Sequence, residues 1–186
     1  TASNSCGTSA ARTQAITILP GTPAQPSVIT GTTSICPSVS TTYSVTNVSG
    51  VTYNWTYSGT GTITGTGNSI SLSATTSGTL SVTASNSCGT STARTQAITI
   101  LPGTPAQPSV ITGTTSICPS VATTYSVTNV SGVTYNWTYS GTGTITGTGN
   151  SISLSATTSG TLSVTASNSC GTSTARTQAI TILPGT

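Results

Sequence analysis

The stretch VTYNWTYS, residues 51–58, alternates apolar or aromatic side chains with polar ones. Successive side chains of a β-strand point to opposite faces, so Val51, Tyr53, Trp55 and Tyr57 would share one face of a strand. Alternation with a period of two predicts a strand with one buried face. We therefore expect Trp55 to fill a core between two sheets, with Tyr53 and Tyr57 extending that core towards its ends. The alternative for Trp55 is a surface platform on which sugars stack.

Short segments with the same alternation lie on both sides of this stretch, and SG, TG and GN dipeptides that favour turns separate them. These alternating segments are residues 27–30, 41–47, 69–75, 78–87 and 93–101. No segment has the 3.6-residue period of an amphipathic helix. Six or seven strands in about 80 residues, with a single tryptophan on the third, predict an all-β fold: a β-sandwich of immunoglobulin type.

The whole pattern is repeated along the chain. Residues 1–82 and 83–164 differ at only two positions, and residues 165–186 begin a further copy. A period of 82 residues is too long for a solenoid repeat and suits a small domain, so the sequence predicts tandem domains. Trp137 and Tyr135 repeat Trp55 and Tyr53, and we expect the same core role for them.

Prolines recur at every third residue in 20–26, which is the period of polyproline II and predicts a short, stiff linker. With this linker as the boundary, complete immunoglobulin-like repeats are predicted at 23–104 and 105–186. Residues 1–22 are predicted to be the C-terminal strand region of a preceding repeat. Either the sequence is a section of a longer array, or this strand completes the domain of another molecule.

The composition excludes several functions. The sequence has no Asp, Glu or His, and three arginines are its only charged side chains. General acid–base catalysis needs a group that titrates near neutral pH, so we expect no enzyme and no cofactor. Calcium sites need carboxylates, and three arginines do not make a nucleic-acid surface. No run of 18 apolar residues occurs, which predicts no membrane insertion.

Three segments together carry a resemblance to a known family: ICPSVSTTYSV (35–45), YNWTYSGTGTITGTGNSISL (53–72) and SGTLSVTASNSCGTS (77–91). They resemble the PKD-like immunoglobulin-fold repeats of very large surface proteins of Bacteroidetes-type bacteria. The resemblance implies a tandem, extracellular array, commonly exported by the type IX secretion route. Ser58-Gly59-Thr60 replaces the acidic turn of classical PKD domains, so the resemblance implies no role for an ion.

Two cysteines per repeat in a Ser/Thr-rich chain predict disulfides in an oxidising compartment. Zinc is an alternative, although the sequence has no histidine and no CxxC. Loop-closure entropy does not choose among the partners. The family resemblance and the domain boundaries favour Cys36–Cys88 and Cys118–Cys170, with Cys6 bonded to a partner outside the chain. A bond between adjacent domains also stays open, because the entry to the second strand and the exit from the sixth lie at opposite ends of a simple immunoglobulin topology.

These features predict a structural protein of the extracellular space or cell surface of a bacterium. It would form a stalk or filament for adhesion, surface motility or matrix formation, with neighbouring repeats or copies of itself in a fibre as partners. The alternative is a glycan-binding surface module in which Thr, Ser and Asn side chains, together with an exposed tyrosine, contact sugars. The two positions that differ between repeats, 10/92 and 40/122, form no set of loops that would vary with a ligand.

Overall fold

The structure is a computed structural model that describes residues 1–184. The last two residues of the predicted domain 105–186 lie outside the described residues. The described part of the chain is all β, which confirms the predicted fold class, and it contains no helix that could cross a membrane. The strands are β1 Ser3–Asn4, β2 Gly7–Thr8, β3 Ser34–Ile35, β4 Thr41–Ser44, β5 Thr52–Tyr57, β6 Gly61–Thr64, β7 Ser69–Ala74, β8 Gly78–Asn86, β9 Gly89–Thr90, β10 Arg94–Ile100, β11 Ser116–Ile117, β12 Thr123–Ser126, β13 Thr134–Tyr139, β14 Gly143–Thr146, β15 Ser151–Ala156, β16 Gly160–Asn168, β17 Gly171–Thr172 and β18 Arg176–Ile182.

Each repeat forms two sheets. In the first repeat one sheet has the order β3-β10-β8-β5, with β9 also paired to β8, and the other has the order β4-β7-β6. The second repeat has the same orders, β11-β18-β16-β13 with β17 on β16, and β12-β15-β14. The short strands β3 and β11 pair in parallel with the ends of β10 and β18. The long strands β10, β8 and β5 pair antiparallel, and so do β18, β16 and β13.

The core of the second repeat lies between its two sheets, because alternate side chains of the strands point inward. The inward residues of β15 and β16 are buried, as Ile152, Leu154, Leu162 and Val164 show. The intervening Ser and Thr side chains lie on the outer faces. The same alternation holds in β7 and β8 of the first repeat, as the period of two predicts.

Tyr43 and its counterpart Tyr125 are the largest fully buried side chains among the described residues, at 0% exposure. The Tyr43 hydroxyl donates a hydrogen bond to Thr32 O at 2.7 Å, which satisfies its polar end inside the core. The ring packs so closely on Gly31 that any Cβ there would collide with it. The sequence does not predict this role, since a tyrosine in a short alternating segment has no signal that ranks its burial above that of the other tyrosines.

We expect the stability of both repeats to be insensitive to acid and to fall in alkali. Burial, with a smaller contribution from the neighbouring Tyr57, raises the pKa of Tyr43 above its usual value of 10.0. Burial likewise raises the pKa of Tyr125. The folded state therefore holds the phenol proton more tightly than the unfolded chain, so this stability is complete below pH 10 and is lost as pH rises through the folded pKa. No Asp, Glu or His side chain is present to titrate in acid.

Urea denaturation followed by circular dichroism checks this expectation. The midpoint should stay constant from about pH 3 to pH 8 and fall above about pH 10. The control Tyr43→Phe keeps the ring and removes the ionisable hydroxyl, so the alkaline loss should become smaller. Unfolding on acidification would contradict the argument.

The compact units of the structure do not follow the repeats. The first unit consists of Thr1–Thr33, Ser40–Ser73 and Gly78–Ile98. The second consists of Ser34–Val39, Ala74–Ser77 and Thr99–Thr186. Short pieces of the first repeat, including the segment with Cys36, therefore belong by their contacts to the second unit. The domain boundaries at 23–104 and 105–186 stay a prediction.

Residues 12–18 have the sequence of β10, RTQAITI, yet they form no strand. Ile16 and Ile18 are 83% and 86% exposed, whereas Ile98 in β10 is 2% exposed. In β10 the same sequence is paired with strands on both sides. The segment becomes a strand only where neighbouring strands satisfy its backbone N–H and C=O groups.

Candidate functional site

The turn between β8 and β9 binds the start of the proline-rich segment 20–26. Asn86 Nδ2 donates to Gly21 O at 2.9 Å, and Thr22 Oγ1 donates to Cys88 O at 3.4 Å. The second repeat makes the same bonds, from Asn168 to Gly103 O at 2.8 Å and from Thr104 to Cys170 O at 3.2 Å. The turn that carries the second cysteine of each repeat is thus fixed to the linker that enters that repeat.

The end of the linker is held by two further side chains. Gln25 Nε2 donates to Ala93 O at 2.7 Å, and Arg94 Nε donates to Pro26 O at 3.1 Å. Gln107 and Arg176 make the same bonds in the second repeat, at the same distances. Prolines fix the backbone φ angle, and these bonds hold the Gln25 side chain and the Pro26 carbonyl against the repeat that the linker enters, which favours a stiff linker. We call the set Gln25, Asn86 and Arg94, with its counterparts, the linker clamp.

Arg176→Ala should lower the free energy of unfolding of the second repeat by about 1–2 kcal/mol, because it removes a half-buried, charge-assisted hydrogen bond to Pro108 O. Arg12→Ala is the matched control. Arg12 has the same sequence context, is exposed and has no hydrogen-bond partner among the described residues, so its loss should change stability by less than about 0.5 kcal/mol. Urea denaturation of the full chain measures both. Equal effects of the two substitutions would contradict the clamp.

One disulfide joins Cys36 to Cys170, with the two Cα atoms 5.6 Å apart and a sequence separation of 134. Both cysteines belong to the second compact unit. Within residues 1–184 the other three cysteines are unpaired and exposed: Cys6, Cys88 and Cys118. The predicted pairs Cys36–Cys88 and Cys118–Cys170 are therefore wrong in this structure, and the external partner of Cys6 stays a prediction.

The position of Cys36 is set by the last residues of β10. Ile35 pairs in parallel with Ile100, and Cys36 follows directly. Pro37, the next residue, lies against the linker into the second repeat, since a Cβ on Gly103 would be 3.4 Å from its Cγ. Cys36 therefore lies at the linker that the Cys170 turn also binds.

Cys88 lies beyond the first residue of β10, whereas Cys36 lies beside the last residue of that strand. Val82 pairs with Arg94, the first residue of β10, and Asn86 is four residues further along β8. Arg94 and Ile100 are six steps apart along β10, and Asn86 is four steps beyond Val82. These ten steps of about 3.3 Å place Asn86 roughly 30 Å along the strand direction from Ile100. A disulfide needs Cα atoms within about 7 Å, so Cys36 cannot bond the cysteine of its own repeat.

The aromatic residues predicted for the core occupy different environments. Trp137 is 9% exposed and belongs to the core cluster, and its Nε1 donates to Gly149 O at 2.9 Å. Trp55 makes the equivalent bond to Gly67 O and is half-buried.

Tyr53 and Tyr135 are half-buried at the edge of the core. The Tyr53 hydroxyl accepts from Val48 N at 2.9 Å and donates to Thr46 O at 3.0 Å, so it fastens a loop of its own repeat. Tyr135 makes the same pair of bonds. Tyr53 also borders a cavity of about 280 Å³ that Pro23, Pro26 and Val48 help to line.

Two-sheet domains in tandem, joined by short clamped linkers, define the chain as an array of β-sandwich domains of immunoglobulin type. The family model for the PKD-like domain matches residues 22–98 and again 104–180. The chain belongs to the PKD-like domain family.

Several solved structures are similar to the chain. The FN1–FN3 domains of chicken CNTN1 are 17% identical, with 88% of this chain and 69% of that chain covered and a TM-score of 0.45. The Escherichia coli adhesin FdeC is 15% identical, with 84% and 63% covered and a TM-score of 0.47. The D0-D1 domain of intimin is 20% identical, with 82% and 98% covered and a TM-score of 0.35. A comparison with curated protein sequences gives no significant match.

Proposed function

We propose that the chain is a spacer array of a bacterial surface protein, and that its repeats form a stalk or filament for adhesion, surface motility or matrix formation. The linker clamp is the observation that carries this proposal. The same bonds between linker and domain occur in both repeats, at distances that agree within 0.1 Å for Gln25 and Gln107, Arg94 and Arg176, and Asn86 and Asn168. A clamp on every linker would limit bending at the point where the linker enters each domain, which suits a spacer.

The disulfide supports the location outside the cytoplasm, because such bonds persist in oxidising compartments. The composition supports a structural role, since the sequence has no carboxylate or imidazole for acid–base chemistry. Near-identity of the repeats favours a function that depends on copy number over one that depends on a single recognition surface. The partners of the array are then neighbouring repeats or other copies of the chain.

Small-angle scattering and electron microscopy of chains with increasing repeat number test the proposal. We expect an elongated rod whose length grows by about 40 Å for each repeat, from strands that rise about 3.3 Å per residue together with loops and linker. A chelator should change nothing, because no carboxylate is present to bind calcium. The matched control replaces Asn86 and Asn168 by Ala, which weakens the clamp and should broaden the distribution of lengths. Compact particles would overturn the proposal, and saturable binding to a glycan array would favour the glycan-binding alternative.

A further inference from the structure

We propose that the Cys36–Cys170 bond is one member of a series that recurs at every linker of the array. Each repeat has a CPSV turn (residues 36–39 and 118–121) and an NSCGT turn (residues 86–90 and 168–172). In this series the cysteine of the CPSV turn in one repeat bonds the cysteine of the NSCGT turn in the repeat that follows. Cys118 and Cys88 are then unpaired halves of the same linkage. Cys118 forms a disulfide with the NSCGT cysteine of a following repeat, and Cys88 forms one with the CPSV cysteine of a preceding repeat. This inference holds whether or not the array serves as a stalk.

The Cys88 turn has the conformation of the bonded Cys170 turn. Cys88 N donates to Asn86 Oδ1 at 2.9 Å, and Cys170 N donates to Asn168 Oδ1 at 2.8 Å. The glycines that follow have φ angles of 143° and 142°. Both turns also bind the linker that enters their repeat. Cys88 is therefore held in the geometry of a bonded cysteine and lacks only the partner.

The Cys118 turn likewise matches the bonded Cys36 turn. Val121 N donates to Cys118 O at 3.3 Å, which is the distance of the equivalent bond that closes the Cys36 turn. Ser120 and Ser38 both have a φ of 62°, as the third residue of a type II turn requires. Ile117 before Cys118 pairs with Ile182 at the end of β18, as Ile35 pairs with Ile100. The turn is set by its own repeat and does not depend on the bond.

The exposure of these cysteines fits the proposal. Cys88 and Cys118 are exposed, whereas Cys36 and Cys170 are half-buried by the linkage they form. Because the repeats differ at two positions only, a further repeat presents the matching turn with the same contacts. The expected partners lie 134 residues before Cys88 and 134 residues after Cys118 in a longer array, which is the observed separation.

Each linkage forms by oxidation of two thiols to one S–S bond, with loss of two protons and two electrons. A disulfide oxidant accepts them and becomes two thiols, through a mixed disulfide in which one protein thiolate attacks and the second displaces the leaving thiol. Oxidised glutathione supplies this oxidant in the experiment below.

The test uses the chain itself and the chain extended by one further copy of residues 105–186. Both are refolded in a mixture of reduced and oxidised glutathione, so that reduced glutathione returns unpaired cysteines to the free thiol before alkylation. After alkylation, non-reducing peptide mapping of the chain itself should give one linked peptide, from Cys36 and Cys170, with Cys88 alkylated. The extended chain should give a second link, between Cys118 and the new cysteine 82 residues beyond Cys170. The control Cys118→Ser in the extended chain should leave that new cysteine alkylated while the Cys36–Cys170 bond remains.

Three results would overturn the proposal. A Cys36–Cys88 or Cys118–Cys170 peptide would show pairing within one repeat. An alkylated Cys118 in the extended chain, beside an intact Cys36–Cys170 bond, would show that the linkage does not recur. A bond from Cys118 to a second copy of the molecule, seen as a non-reducing dimer at low protein concentration, would show that the partner is another chain.

Discussion

Reduction of the Cys36–Cys170 bond should lengthen the chain by about 440–480 Å when it is pulled apart from its two ends and both repeats unfold. The bond bypasses 134 residues, each of which contributes at most about 3.3–3.6 Å when the backbone is extended. In the oxidised chain the S–S bond transmits the force, so the residues between Cys36 and Cys170 are not extended. Single-molecule force spectroscopy with and without reductant measures the difference in contour length.

Two variants make this measurement specific. Cys36→Ser should give the longer contour length in both conditions, while Cys118→Ser should behave as the unchanged chain. Pairing of Cys36 with Cys88 and of Cys118 with Cys170 would instead bypass two stretches of 52 residues each (88 minus 36 and 170 minus 118). The gain on reduction would then be about 340–370 Å, and Cys118→Ser would halve it.

Trp137→Ala should lower the free energy of unfolding of the second repeat by about 3–5 kcal/mol. Its ring is 9% exposed and packs in the core cluster, and its Nε1 bond to Gly149 O would be lost as well. Since a domain of this size is stable by only about 5–15 kcal/mol, the second repeat should lose much of its cooperative transition. Urea denaturation followed by circular dichroism measures the loss, and the fluorescence of Trp55 reports on the first repeat.

The control for this substitution is Val130→Ala. Val130 is 55% exposed in the same repeat, so its truncation should change stability by less than about 0.5 kcal/mol. A near-neutral result for Trp137→Ala would place the ring on the surface and would favour a role in stacking on sugars.

Local patterns predicted most of the strands because the period of two acts within each segment. The predicted strand at 27–30 is wrong, since only Thr30 forms an isolated bridge there, and β6 was not predicted. VTYNWTYS becomes β5, SISLSA becomes β7, and the inward residues of β7 and β8 are buried where the alternation places them. The 82-residue period and the three quoted segments also predicted the family, which the match to the PKD-like domain confirms. The sequence could not show which tyrosine is the most buried, because the burial of Tyr43 depends on the close approach of Gly31 and on the opposite sheet.

By itself, then, the sequence determined most of the strands and the tandem architecture, because short-range alternation and the 82-residue period control these properties. Only the tertiary structure decided the pairing of the cysteines. Loop-closure entropy changes by a few tenths of a kcal/mol among the possible partners, so it could not select one. The selection comes from the length of β10, which separates Cys36 from Cys88, and from the bonds that bring the Cys170 turn to the linker beside Cys36. The same dependence on neighbours explains why RTQAITI is a strand at 94–100 and not at 12–18: its backbone groups need a partner strand on each side.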